Sequence, residues 1–208
     1  GLIIIDEQHK FGVNQRKKLS DKGGNDCDVL LMTATPIPRT LTMTIYGDMD
    51  LSIIREKPAA RKPIKTYSKL ETKINDVLMF IKKQIELNNQ VFWVCPLIEE
   101  SKKVDHTSAI KKFEYLSKLF PNNVGLLHGK TNIEDKELIL NDFLNNKFKI
   151  LVSTTIIEVG IDFPNANAIV IENANKFGLS QLHQLRGRVG RGSKQSTCIL
   201  MFKSNLSE

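Results

Sequence analysis

The chain has 208 residues, a formal net charge of +7 and 41% hydrophobic residues. That is enough apolar material for a buried core in one domain and part of another, which excludes general disorder. No apolar run approaches the ~18 residues of a membrane span, and a basic balance favours polyanion partners, nucleic acid first.

The first block runs over residues 1–60. Leu2-Ile3-Ile4-Ile5 is a continuous apolar run, the pattern of a strand buried on both faces. No basic residue precedes it and Asp6-Glu7 follows, so it reads as neither a signal nor a transit peptide. A polar helix is expected from Gln8 to about Lys22, a second buried strand over Asp28–Met32, a helix from Pro38 to Tyr46 and a short strand over Leu51–Ile54. Lys57–Pro63, with two prolines and no apolar periodicity, reads as a linker.

The second block, residues 61–208, alternates strands and helices. Strands fit Ile64–Ser68, Val91–Cys95, Val124–Leu127, Ile150–Ser153, Ala168–Ile171 and Cys198–Phe202. Helices fit Thr72–Leu87, Ser108–Phe120, Ile133–Asn145 and Ser180–Val189; in the first, Ile74, Val77, Leu78, Ile81 and Ile85 define one apolar face. The alternation predicts an α/β fold, a parallel sheet flanked by helices, with ligand chemistry at the carboxyl ends of its strands. Cys27, Cys95 and Cys198 show no metal or disulfide spacing and read as core thiols of a cytoplasmic protein.

Three segments carry chemistry. Asp6-Glu7 follows a buried strand directly, where one carboxylate can bind Mg²⁺ and the next can activate an attacking water. Ser153 to Asp162 follows another; the hydroxyls of Thr154 and Thr155 can meet a phosphate backbone, Gly160 permits close approach, and Asp162 can hold a nucleotide ribose or a partner domain. Only seven of the 30 basic residues are Arg, and three of them fall within Gln184-Leu185-Arg186-Gly187-Arg188-Val189-Gly190-Arg191. Arg188 and Arg191 are expected on one helix face, two planar guanidinium groups suited to the charge on a transferred γ-phosphoryl group. A fourth segment, Gly129-Lys130-Thr131 between a strand and a helix, imitates a phosphate-binding loop but lacks the first glycine of the full pattern. There His128 and Lys130 are expected to touch a nucleic-acid backbone or cap the strand.

In this order, Asp-Glu-Gln-His, Thr33-Ala34-Thr35, the Ser153–Asp162 segment and Gln184–Arg191 resemble motifs II, III, V and VI of superfamily 2 helicases. Phe11-Gly12-Val13, Met32–Thr40, Tyr46-Gly47-Asp48, Val94–Ser101 and Phe177–His183 narrow the resemblance to the RecG family of branched-DNA helicases. The transcription–repair coupling factors are similar over Gln184–Arg191 and less so around Tyr46–Asp48 and Val94–Ser101. The resemblance implies a motor of two RecA-like domains that binds ATP and Mg²⁺ between them and moves on branched double-stranded DNA, remodelling stalled forks and branch-migrating Holliday junctions. It assigns Asp6 to Mg²⁺ and Glu7 to the attacking water. Gln184, Arg188 and Arg191 fall at the γ-phosphate, and Thr33 and Thr35 at the coupling of hydrolysis to movement.

Residues 1–60 then correspond to the end of the first motor domain and residues 61–208 to the second. The phosphate-binding loop, the adenine-reading glutamine, the N-terminal wedge domain and the helical hairpin that follows the motor in that family are all missing from these residues. The expectation is therefore a C-terminal motor segment whose missing partners are those domains, without ATPase activity on its own. Two other readings stand beside it: a non-catalytic module binding nucleic acid or a protein partner, and the motor of a coupling factor.

Overall fold

The computed structural model describes residues 1–6, 27–33, 50, 52–54, 56, 61–96, 102–154 and 162–204, the side chains of 102–107 excepted. Its contacts divide the chain into two compact units, Gly1–Arg55 and Glu56–Glu208.

In the first unit, β1 (Leu2–Asp6) pairs in parallel with β2 (Asp28–Met32), with Asp6 opposite Met32. Burial on both faces, expected from the apolar run, is met on one face only. Ile5 is buried, whereas Leu2, Ile4, Leu30 and Met32 are exposed. Ser52–Ile54 form no strand, contrary to expectation, and Ile53 and Ile54 are exposed. A short apolar run without a ladder partner has no backbone bonds to hold it extended. The helices expected over Gln8–Lys22 and Pro38–Tyr46 lie outside the described residues.

The second unit is built on six parallel strands in the order β3-β8-β7-β4-β6-β5. In chain order the elements are β3 (Lys65–Leu70), α1 (Ile74–Glu86), β4 (Gln90–Val94), α2 (Lys102–Leu119), β5 (Val124–Leu127), α3 (Ile133–Leu144), β6 (Ile150–Ser153), β7 (Ala166–Ile171), α4 (Leu179–Arg186) and β8 (Thr197–Phe202). The parallel α/β sheet expected from the alternation is present. Central strands are buried on both faces, which is why they read as unbroken apolar runs. Along β4, Val91 and Trp93 face the α1 and α2 side with Val77, Ile81 and Leu116, while Phe92 and Val94 face the α3 and α4 side with Leu140, Phe143 and Leu185. Side chains alternate across a strand, so this one strand stitches both halves of the core.

Three helix-to-strand turns place an Asn in the left-handed region: Asn88, Asn122 and Asn146, at φ 58°, 59° and 60°. Asn tolerates that conformation better than other L-residues and ends a helix there at low cost. Two expected boundaries fail. Helix α2 begins at Lys102, six residues before Ser108, because Lys102–Thr107 holds a single apolar residue, Val104, and so no apolar periodicity to betray it. Helix α4 stops at Arg186, not Val189, because Gly187 and Gly190 end it. Among the described residues no helix is long and apolar enough to cross a membrane.

Candidate functional site: two edges of one sheet

The expected site residues of the second unit fall into two groups at opposite ends of the strands. Asp162 and Arg191 lie a few residues before β7 and β8, neighbours in the sheet, and so at its amino edge. His128, Lys130 and Thr154 directly follow β5 and β6, at its carboxyl edge. The expectation that all ligand chemistry gathers at the carboxyl ends is therefore corrected by the path of the chain. Helix α4 runs back from the end of β7 toward the start of β8 and delivers its last residues to the amino edge.

At that edge, Gly187 donates to the carbonyls of His183 and Leu185, and Arg188 donates from its backbone to Leu185 at 3.0 Å. Arg188 and Arg191 thus do not share a helix face; both lie beyond the helix. Val189 is buried and anchors the segment to the core. Gly190 has φ +78°, and a Cβ there would meet Ile64 Cγ1 at 3.0 Å. A Cβ on Gly192 would meet the Pro164 carbonyl oxygen at 2.7 Å, so only glycine lets these two segments touch. Arg191, between the two glycines, forms an ion pair through Nε with Asp162 Oδ1 at 3.7 Å; the side chains are 29% and 57% exposed.

Asp162 is held in place by its neighbour. Phe163 is buried and meets Phe92 edge-on at 5.6 Å between centroids and Phe143 at 5.4 Å. Its carbonyl accepts from Ala166 N–H at 3.0 Å. Beside it, buried Asn167 donates to Asn89 Oδ1 and accepts from Ser196 Oγ, both at 3.2 Å, and Lys194 donates to Asn89 Oδ1 at 2.8 Å. These bonds satisfy polar groups that burial would otherwise penalise, and they tie the residues that precede β4 and β8 to the start of β7. Gln184, on α4, is half-buried.

At the carboxyl edge, His128 Nδ1 lies 3.2 Å from both Lys130 N and Thr131 Oγ1, and His128 N–H donates to Thr131 Oγ1 at 3.1 Å. Lys130 is exposed at the tip of this turn. Asn132 then caps α3 by accepting from Asp135 N–H at 2.7 Å, and Glu134 and Asp135 occupy the first helical turn. Two carboxylates there oppose a polyphosphate, so Gly129-Lys130-Thr131 is a capped turn, not a phosphate-binding loop. Thr154 is 3% exposed and its N–H donates to Leu127 O at 3.3 Å, unlike the displayed hydroxyl expected for a backbone contact.

One residue at this edge was missed from the sequence. Glu172, directly after β7, pairs with Lys112 Nζ at 2.9 Å and accepts from Trp93 Nε1 at 3.1 Å. The Lys112 ammonium also lies 5.0 Å from the centre of the Trp93 ring. Burial, then the neighbouring Glu172 charge, pushes the Cys95 thiol far above its usual range. The signal is part of the one that marked Asp6-Glu7: a carboxylate directly after a buried apolar strand.

In the first unit, Asp6 is exposed at the end of β1, and Thr33 follows Met32, its partner across the ladder. A single exposed carboxylate at a strand end fits Mg²⁺, which takes one or two carboxylates and fills its octahedron with water and phosphate oxygens. No cluster of three or more metal-binding side chains exists among the described residues. Glu7, Thr35, Thr155 and Gly160 lie outside the described residues.

Residues 72–193 match the family model of the helicase conserved C-terminal domain. The chain belongs to this family. It is 54% identical over 202 residues to the ATP-dependent DNA helicase RecG of Bacillus subtilis (strain 168), covering 96% of the chain and 30% of that relative. It is 49% identical over 203 residues to the RecG of Thermotoga maritima, covering 97% of the chain and 26% of that relative. A solved structure of RecG bound to a three-way DNA junction superposes with a TM-score of 0.75 at 44% identity, covering all of the chain and 26% of that one. This helicase-family chain thus spans between a quarter and a third of the length of these relatives, and its sheet has the RecA-like helicase fold.

Proposed function

We propose that this chain is the hydrolysis-completing part of a RecG-type ATP-dependent DNA helicase motor, acting on branched double-stranded DNA such as forks and Holliday junctions. Residues 1–60 would belong to the first RecA-like domain and 61–208 to the second. The observation that carries the reading is the amino edge: an arginine between two sterically required glycines, partly exposed and paired at Nε with an exposed carboxylate. A core or surface arginine needs no such backbone; a guanidinium that must meet a charge at one place does.

In this reading the nucleotide is held by the first domain and by parts of the motor beyond these residues. Asp6 would hold Mg²⁺, which neutralises phosphate charge when bound, and Glu7 would take the proton of the attacking water. Arg188 and Arg191 would stabilise charge on the transferred phosphoryl group, with Gln184 beside them. Thr33, adjacent to Asp6, and Thr35 would relay the change to DNA. The carboxyl edge would face DNA, Lys130 neutralising a phosphate, with His128 holding the turn; Thr155 would supply a further backbone contact, and Gly160 would let the nucleotide approach closely.

ATP turnover with a forked duplex tests this. The 208-residue chain alone is expected to show none. The full-length protein that carries it is expected to show DNA-stimulated turnover that Glu7→Gln abolishes. Turnover by the 208 residues alone, lost in Glu7→Gln, would contradict the proposal.

A further inference from the structure

The contact between Asp162 and Arg191 admits a role that neither the ribose-binding reading of Asp162 nor the finger reading of Arg191 contains. We propose that Asp162 is a positioning residue that holds the Arg191 guanidinium by its inner nitrogen, so that the two outer nitrogens are presented to the nucleotide already oriented. This rests on Arg191 being a finger.

Four observations converge on it. The ion pair is made at Nε, 3.7 Å from Asp162 Oδ1. A guanidinium grips an anion bidentately through its fork, and a carboxylate whose charge lies beside Nε draws the group to one side while leaving its outer edge for a second anion. The backbone on either side of Arg191 is pinned, Gly190 by positive φ against Ile64 and Gly192 by its approach to the Pro164 carbonyl. That approach sets the two residues after Asp162 directly against the residue after Arg191, so the carboxylate and the guanidinium are held by one joint. Finally, Phe163 anchors the backbone beside Asp162 to the core through Phe92 and Phe143.

Arginine is rich in rotamers and loses conformational entropy on being fixed. Loss incurred in the resting protein is not incurred again in the transition state, which is the sense in which positioning raises kcat. The ribose-binding alternative makes a different demand: Asp162 would then contribute to nucleotide affinity, through hydroxyls that can be removed from the substrate.

The test is steady-state ATP turnover, with DNA saturating, in the full-length protein that carries this chain. Five proteins are compared: wild type, Asp162→Asn, Asp162→Ala, Arg191→Ala and the Asp162→Ala/Arg191→Ala double variant, with ATP and with its 2′- and 3′-deoxy analogues. Positioning predicts that either Asp162 variant lowers kcat on the order of tenfold or more while KM for ATP stays within about twofold. It predicts the same loss with the deoxy nucleotides, and no further loss when Asp162→Ala is added to Arg191→Ala. Melting temperature should hold, because the Asp162 side chain is 57% exposed. A rise in KM that vanishes with a deoxy nucleotide would assign Asp162 to the ribose and overturn the proposal. Unchanged kcat in the Asp162 variants, or additive losses in the double variant, would overturn it as well. Should Arg191→Ala itself keep full turnover, the finger reading fails first, and the positioning role with it.

Discussion

The two edges of the six-stranded sheet are built by different means. The carboxyl edge is made of strand ends that stop and turn: β5 into a His-Gly-Lys-Thr turn capped by Asn132, and β7 into Glu172, whose carboxylate pairs with Lys112 and accepts a hydrogen bond from Trp93. Its residues are placed by ordinary caps and pairs that tolerate small shifts. The amino edge is made of segments arriving at strands, and it is held by constraints that tolerate none: a positive-φ glycine, a glycine against a carbonyl, and an asparagine network packed among buried strands. An edge that must meet a transferring phosphoryl group needs tenths of an ångström, whereas an edge that meets a DNA backbone needs charge at about the right height.

That contrast can be broken in order of size. Phe143→Ala removes a fully buried ring that stacks on Phe92 and Phe163 and whose backbone carbonyl accepts from Gln90 Nε2. It should cost about 3–5 kcal/mol of stability by chemical denaturation. Because Phe163 anchors Asp162, turnover should fall before the protein unfolds. Arg191→Lys and Arg188→Lys, each alone, keep charge and lose the fork; turnover in the full-length protein should drop at least about 10²-fold with little change in melting temperature. Surviving turnover in both would return these arginines to the fold.

The carboxyl edge should respond more gently. Binding of the chain to duplex DNA should weaken steeply with salt and show little sequence preference. Lys130→Ala should reduce the slope of log K against log salt by about 1 at every sequence tested. A sequence-selective loss would mean base reading, not backbone contact. Smallest is a chemical difference among the thiols. Burial pushes Cys198 up to about 11, offset in part by Arg186, and Cys95 higher still, so both carry little thiolate at neutral pH. Cys27, partly exposed, should be alkylated first, with the other two following only on unfolding.

Most of the second unit was legible because its strands are buried on both faces and its helices carry apolar stripes; Val124–Leu127 and Ile150–Ser153 match their expected bounds without change. The start of α2 was not, since Lys102–Thr107 holds one apolar residue, Val104, and so shows no helical stripe. The site was legible as residue types and not as geometry. The Gln184–Arg191 segment announced its arginines, yet spacing alone put them on a helix that Gly187 ends. The meeting of Arg191 with Asp162 had no sequence signal, because it depends on two chain segments 29 positions apart converging where β7 and β8 begin. Glu172 was visible in principle, by the same rule that marked Asp6.

The most direct test of the division between the edges is a crossed comparison in the full-length protein: ATP turnover at saturating DNA, and DNA affinity without nucleotide, for Arg191→Lys and Lys130→Ala. Separate roles predict that Arg191→Lys loses at least about 10²-fold in turnover with DNA affinity unchanged, and that Lys130→Ala weakens DNA binding while turnover at saturating DNA is kept. If Lys130→Ala abolishes turnover at saturating DNA, or Arg191→Lys weakens nucleotide-free DNA binding as much as Lys130→Ala does, the two edges serve one ligand and the division is wrong.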